Sequence, residues 1–176
     1  DMIYLDPPFN KKKSFTAPIG TTAKGASFKD IFSKEDYKDE WREEFKAEHK
    51  ELYDFLGTMQ FYANESDVAY VAYMAIRIIE CHRILKSSGS LFYHCDDTMQ
   101  HYIKIMLDIV FGRDTFKNEI NWKRSNSHND GKRFGRITDA ILYYAKDEHT
   151  FNNVYIQREN SKQYYIYCLL YTSDAA

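Results

Sequence analysis

The chain has 176 residues, 44% of them hydrophobic and 28% charged, which is enough for one globular domain with a substantial core. Its formal net charge of −2 gives no overall basic field that would indicate nucleic acid. Three widely spaced cysteines argue against a disulfide framework or a zinc site and for reduced thiols in the cytosol, and no apolar run long enough to cross a membrane is present.

The first predicted element is a short buried strand that ends at a carboxylate. Met2–Leu5 is apolar, and Asp6 follows it directly. Pro7 and Pro8 then fix φ near about −65° and remove two N–H donors, so the strand must end in a stiff turn. In an open α/β sheet, ligands bind at such strand ends. The Asp6 carboxylate, the Pro7 carbonyl and the Phe9 ring would together suit a planar base with an exocyclic amine.

Residues 10–33 are predicted to form a loop, because they contain lysines, glycines and a proline without a clear period. A long irregular segment beside a catalytic turn is usually either functional or disordered. Lys11 and Lys12 are candidate contacts to phosphates, and a solvated basic loop is the alternative.

Three helices follow. Residues 34–56 carry nine acidic and five basic side chains, so this helix is not expected to face DNA. Residues 66–86 have the clearest helical spacing, with Ser66 or Asp67 as the predicted N-cap. A third helix is predicted over 97–111.

Between the last two helices, residues 90–94 are predicted to form a second buried strand. Strand–helix–strand order usually gives a parallel pair, so His94 and Asp96 should reach the same sheet edge as Asp6. Either they line the pocket there, or they cap the next helix.

The remaining strands are predicted at 120–123 and 140–145, with a basic segment between them. Residues 113–136 contain seven basic and three acidic side chains. A glycine-containing basic loop with the aromatic Phe134 suits phosphates and a flipped or neighbouring base, and we favour DNA contact over a merely solvated hairpin. The candidate DNA-binding residues here are Lys123, Arg124, Lys132, Arg133 and Arg136.

Four motifs in a fixed order resemble those of amino-group DNA methyltransferases of the permuted β class, which includes the modification subunits of restriction-modification systems. Residues 4–10 resemble the catalytic motif, and residues 80–96 resemble the helix–strand pair that follows it. Residues 116–124 and 139–146 resemble the next two strands. The resemblance implies an α/β fold with a partial doubly wound, mostly parallel sheet of the Rossmann-like methyltransferase type, truncated at both ends.

The resemblance also implies an activity: S-adenosylmethionine-dependent methylation of the exocyclic amine of a base flipped out of double-stranded DNA. Asp at the first motif position, in place of Ser, favours adenine N6 over cytosine N4. A restriction subunit or a second copy of the chain is the implied protein partner, in the cytoplasm of a bacterium. The implied catalytic residues are Asp6, Pro7, Pro8 and Phe9, and the implied substrate contacts include Asn10, Lys11 and Lys12.

The chain departs from the family in one respect. None of its seven glycines forms the Phe-x-Gly-x-Gly turn that holds the methyl donor in these enzymes. We therefore expect a fragment that is inactive alone. Its catalytic part would span 1–155, with an insertion at 10–66 and a basic substrate loop at 123–137, and a tail of uncertain origin at 156–176. An RNA- or protein-directed amine methyltransferase and a non-catalytic nucleic-acid-binding protein are the alternatives.

Overall fold

The computed structural model describes residues 1–16, 22, 26–126, 129–130 and 132–152. The strands are β1 Met2–Leu5, β2 Lys13–Thr16, β3 Ser27–Asp30, β4 Ser90–Cys95, β5 Phe116–Lys123, β6 Asn129–Asp130, β7 Arg133–Phe134 and β8 Thr138–Ala145. The helices are α1 Asp39–Glu48, α2 Lys50–Met59, α3 Glu65–Ile84 and α4 Gln100–Phe111, with single 3-10 turns at Lys34–Asp36 and Arg113–Thr115. The predicted tail at 156–176 lies outside the described residues.

The main sheet has four strands in the order β1-β4-β8-β5. β1 and β4 are parallel, as predicted, whereas β8 runs antiparallel to both of its neighbours. The α/β class is thus confirmed, but the prediction of a mostly parallel sheet is wrong for the described strands. The physical reason is the connection from β5 to β8. It contains the short β6–β7 pair, and no crossover helix of the kind that parallel neighbours require is found in its described part.

One face of this sheet is buried against α3 and α4. Leu91, Tyr93 and Cys95 of β4 are fully buried on that face, and Phe92 and His94 alternate with them toward the other. The long helix α3 supplies a row of buried side chains to the same core. The core is therefore a sheet–helix layer that fixes the direction in which β1 and β4 end.

The helix boundaries differ from the sequence-based ones in two places. The predicted helix at 34–56 is interrupted at His49 (φ −135°, ψ 58°), which separates α1 from α2 and lets Phe45 and Leu52 both enter the core. The N-cap of α3 is Asn64, whose side chain accepts a hydrogen bond from the Asp67 N–H at 3.0 Å. Ser66 and Asp67 lie inside the first turn, so the predicted caps were wrong by two or three residues.

The predicted loop at 10–33 contains regular structure. β2 and β3 form an antiparallel pair in which Lys13 lies opposite Asp30. The prediction of an irregular segment is therefore wrong for these eight residues. The pairing returns Asp30 to the turn after β1.

The second face of the main sheet is open along much of its length. Met2, Tyr4 and Trp122 are exposed there, and the rings of Phe92 and Tyr143 stack in parallel with centroids 4.5 Å apart. A groove of about 610 Å³ runs along this face. Among the described residues, no helix combines the length and the apolar character needed to span a membrane.

Candidate active site

Asp6 and His94 lie side by side because β1 and β4 are parallel neighbours. Leu5 pairs with Tyr93, so the next residue of each strand emerges at the same edge of the sheet. Oδ1 of Asp6 lies 3.5 Å from Nδ1 of His94, and the Asp6 side chain is 61% exposed. The carboxylate therefore faces solvent at the strand end and is available to a ligand.

Two aromatic side chains flank this carboxylate. The Phe9 ring lies 5.4 Å from the His94 ring, tilted by 57°, and the Tyr4 hydroxyl lies 3.2 Å from Nδ1 of His94. Phe9 is only partly buried. The turn thus presents an anion, the edge of an imidazole and an aromatic ring on one accessible surface.

The other end of the turn is fixed by buried polar contacts. The carboxylate of Asp30 accepts hydrogen bonds from the N–H groups of Asn10 at 2.7 Å and Lys11 at 2.9 Å. The Asn10 amide donates to Asp67 at 2.8 Å, and its carbonyl accepts from the Ser66 hydroxyl at 2.9 Å. Asn10 is 7% exposed and has a positive φ of 57°, a conformation that asparagine tolerates better than most residues. It therefore anchors the turn to β3 and α3.

Lys11 and Asp96 form an ion pair beneath the turn. The Asp96 side chain is 1% exposed and also accepts from the Thr98 N–H at 3.1 Å and the Thr98 hydroxyl at 2.6 Å, just before α4 begins. Burial raises the pKa of Asp96, but the hydrogen bonds from Lys11 and Thr98 outweigh burial and hold that pKa below its usual range. These contacts close a turn at Thr98 ahead of α4, whose N-cap is Met99 without a side-chain cap, so the predicted helix-capping role of Asp96 is not found.

His94 contacts a second carboxylate on its far side. Nε2 of His94 lies 3.5 Å from Oδ2 of Asp139, whose side chain is 4% exposed, and Oδ1 of Asp139 accepts from Arg124 at 3.1 Å. Nε2 is buried and has no hydrogen-bond partner among the described residues. The sequence reasoning did not single out Asp139, although it opens the last of the four motifs.

The basic segment lies at the same sheet edge as Asp6. β8 is antiparallel to β4, so its first residues and the end of β5 meet the end of β4. Phe134 is 90% exposed, and Arg136 pairs with Asp97 at 2.9 Å. Lys12, Lys123 and Lys132 are exposed, whereas the side chain of Arg133 lies outside the described part.

The predicted site residues thus fall into two groups. Asp6, Pro7, Pro8, Phe9 and His94 converge on the open surface, while Asn10, Lys11 and Asp96 hold the turn from below. Sequence reasoning missed Asp30, Ser66 and Asp67, the partners of Asn10, because no local pattern links them to it. Within the described residues, no group of three or more His, Cys, Asp or Glu side chains is arranged to hold a metal ion.

Comparison with known proteins gives a family match. A family model described as DNA methylase, of the N6/N4 methyltransferase type, matches residues 1–167. The Mod subunit of the type III restriction-modification enzyme StyLTI from Salmonella typhimurium is 29% identical over 147 residues, which is 83% of this chain and 20% of that protein. The type II methyltransferase M.EcaI from Enterobacter cloacae is 34% identical over 82 residues, 46% of this chain and 18% of that protein.

A third relative is the probable type III restriction-modification enzyme HindVI Mod subunit from Haemophilus influenzae. It is 28% identical over 100 residues, which is 54% of this chain and 13% of that protein. The chain therefore spans a fifth or less of the length of these three curated relatives.

Proposed function

The chain belongs to the DNA methylase family of the N6/N4 type, and from this premise we propose that the protein carrying it methylates the exocyclic amine of adenine in double-stranded DNA. The observation that supports this most is the exposed Asp6 carboxylate, which lies with Phe9 against His94 on a turn whose other end is fixed. We propose that the four strands are part of a larger methyltransferase sheet of the Rossmann-like type.

We assign to the turn the activation of the exocyclic amine of the base, which is a poor nucleophile. The lone pair of an exocyclic amine is delocalised into the ring of the base. Hydrogen bonds from the amine to the Asp6 carboxylate and the Pro7 carbonyl would favour tetrahedral geometry at nitrogen and free that lone pair. Phe9 would hold the plane of the base by stacking, and this contact would offset the few kcal/mol that base flipping costs.

The turn must be stiff for this to work. The Asp6 carboxylate and the Pro7 carbonyl can position the attacking amine nitrogen only if they do not shift with it. The prolines restrict Asp6 and Phe9 from within the turn, and the bidentate contact of Asp30 with Asn10 and Lys11 restricts it from outside. The anchoring network is thus part of the proposed site even though it touches no substrate.

The methyl donor is assigned to S-adenosylmethionine, which supplies a methyl group already activated by a positively charged sulfur. The residues present fit the acceptor amine: an exposed carboxylate, a proline carbonyl and an aromatic ring. They do not include the glycine turn that family members use for the donor, so we assign the acceptor side of the reaction to this chain. By the same reasoning, the 176 residues alone should transfer no methyl group.

Contacts with DNA are assigned to the basic segment between β5 and β8, which lies at the same edge as Asp6. Lys123, Lys132, Arg133 and Arg136 would meet phosphates, and the exposed Phe134 would contact a base. Lys12 is the candidate on the other side of the turn. The partner assigned to the whole protein is a restriction subunit or a second copy of the chain.

The test uses the full gene product with radiolabelled methyl donor and duplex DNA, followed by digestion to nucleosides. The expected product is N6-methyladenine. The Asp6→Ala variant should lose methylation while it keeps most of its DNA affinity, and Asp54→Ala, which removes an exposed carboxylate on α2, should keep both. N4-methylcytosine as the product would overturn the assignment of adenine. Activity on RNA or peptide acceptors but not on DNA would overturn the substrate class.

The second candidate function is nucleic-acid binding without catalysis, which the exposed basic segment by itself would serve. In that case no labelled product would form, and Asp6→Ala would change nothing that can be measured.

A further inference from the structure

His94 occupies a position that the amine chemistry alone does not explain. Its ring lies between two carboxylates, 3.5 Å from Asp6 on one side and 3.5 Å from Asp139 on the other. The ring also contacts the Tyr4 hydroxyl and the Phe9 ring, and Ile141 of β8 lies opposite His94 in the sheet. An imidazole bridging two acids in this way can move a proton from one side of the ring toward the other.

The two carboxylates differ in their access to water, and this difference selects the tautomer of His94. Asp139 is almost completely buried, so its oxygens need protein donors; among the described residues, Arg124 donates to Oδ1. Asp6 is mostly exposed and can be hydrated. We assign the ring N–H to Nε2, which lies 3.5 Å from Asp139 and is otherwise without a hydrogen-bond partner among the described residues. Nδ1 then carries no proton and can accept from the Tyr4 hydroxyl at 3.2 Å, next to Asp6.

The two carboxylates beside the ring have different surroundings. Asp139 is paired with Arg124 at 3.1 Å. Asp6 lies on the other side of the ring and is mostly exposed. An imidazole with an unprotonated Nδ1 can accept a proton. In many enzymes a buried carboxylate orients a histidine that acts as a base, and Asp139 would orient His94 in this way.

We propose that His94, held by Asp139, accepts the proton that the base amine gives up to Asp6 on methylation; this inference rests on the proposed function. As the nitrogen–carbon bond forms, the sulfur–methyl bond breaks and its electron pair stays on sulfur. One amine proton moves to the Asp6 carboxylate and then to Nδ1 of His94. The resulting imidazolium lies between two carboxylates and releases the proton to solvent beside Asp6. His94 is thus a positioning residue that acts through Asp6.

The proposal gives histidine a measurable role in the pH profile. Histidine side chains change charge between roughly pH 5 and 8, and a protonated His94 has no free nitrogen to accept a proton. The single-turnover methylation rate should therefore fall toward acid pH. Replacing His94 should remove this fall of the rate at acid pH. It should also lower the rate at pH 8 by about 10- to 100-fold, at or below the usual range for a positioned acid–base group.

The experiment measures single-turnover methylation by the full gene product between pH 5.5 and 8.5, with DNA affinity measured in parallel. Asn is the test substitution, because His94→Asn keeps a hydrogen-bonding side chain that cannot take up the proton. Asp139→Asn should also slow the reaction, since the amide would favour the opposite tautomer. Arg124→Met should move the acid side of the rate profile (its acid limb) to higher pH, because the negative charge of Asp139 then has no arginine to offset it. His101→Asn, at an exposed histidine of α4, is the matched control and should leave the profile unchanged.

A lower rate with a flattened acid limb and DNA affinity within about twofold of wild type would support the proposal. An acid limb that is the same in His94→Asn as in wild type would overturn it, whether or not the rate falls, because His94 would then be only a packing residue. Wild-type protein that methylates no DNA would instead remove the proposed function, and the relay with it. The two failures are thus distinguished by the activity of the wild type.

Discussion

The two ends of the turn after β1 are built in opposite ways. Asn10 and Lys11 are held by partners from β3, from α3 and from the segment that follows β4, whereas Asp6 and Phe9 face an open surface. A reacting carboxylate must remain accessible, so it cannot be fixed by burial itself. The stiffness it needs is supplied a few residues away, by a network that no ligand has to enter. Reactivity and rigidity are thus divided between neighbouring residues of one turn.

The most direct test of this division changes Asp6, at the exposed end of the turn, and leaves intact the anchor, which is the set of contacts made by Asn10 and Lys11. Asp6→Asn keeps one acceptor but adds two donors facing the base amine. We expect single-turnover methylation to fall by about 10²- to 10³-fold, the range seen when one preorganised group is lost. Thermal stability should stay within a degree or two of wild type, because the side chain is mostly exposed. A comparable loss of stability would show that Asp6 also belongs to the anchor.

The complementary change breaks the anchor and spares the open end. Asp30→Ala leaves the N–H groups of Asn10 and Lys11 without their buried acceptor, which should lower the free energy of unfolding by about 2–4 kcal/mol. Methylation should also fall, by a smaller factor than for Asp6→Asn. Denaturant unfolding and single-turnover rates measure the two effects. Wild-type stability together with wild-type activity would contradict the role given to Asp30.

Asn10 allows the backbone and side-chain parts of the anchor to be separated. Both Asn10→Ala and Asn10→Gly lose the bonds to Ser66 and Asp67, but alanine keeps a Cβ at a positive φ, which it tolerates less well than asparagine, whereas glycine adopts that φ without strain. The alanine variant should therefore be less stable than the glycine variant by roughly 1 kcal/mol, measured by denaturant unfolding. Equal stabilities would mean that the left-handed conformation of Asn10 is not maintained in solution.

The smallest expected effect is the pH dependence of the Lys11–Asp96 pair. Since the pKa of Asp96 is lowered in the folded protein, the unfolded chain takes up a proton first as the pH falls. The stabilisation from Asp96 is present above the ordinary aspartate range, near about pH 4, and is lost below it. Unfolding measured from pH 6 to 3 should therefore show a shallower loss for Lys11→Met than for wild type.

Lys50→Met is the control for this pH series, since it breaks an exposed pair on α2 and should leave the slope unchanged. A slope that is equal in Lys11→Met and wild type would mean that Lys11 does not hold the carboxylate ionised.

Local patterns in the sequence were sufficient to locate the elements in which apolar residues repeat regularly. The helix predicted at 66–86 is found as α3, and the strand predicted at 90–94 is found as β4. The division at His49 and the β2–β3 pair were missed. Both depend on contacts that a local pattern does not contain. The helix divides at His49 because Phe45 and Leu52 both enter the core, and β2 and β3 form only by pairing with each other over four residues.

The turn after β1 is itself determined by the sequence, because two prolines after an apolar strand leave the backbone little freedom. The partners of that turn were decided only by the tertiary structure. Asp30, Asp67 and Asp139 are separated from Asp6 by dozens of residues, and they meet its surroundings through the pairing of β2 with β3, the start of α3 and the antiparallel course of β8. A carboxylate is recognised by its type in a sequence, but its distance from another side chain is set by packing, which acts between segments that the sequence alone does not bring together.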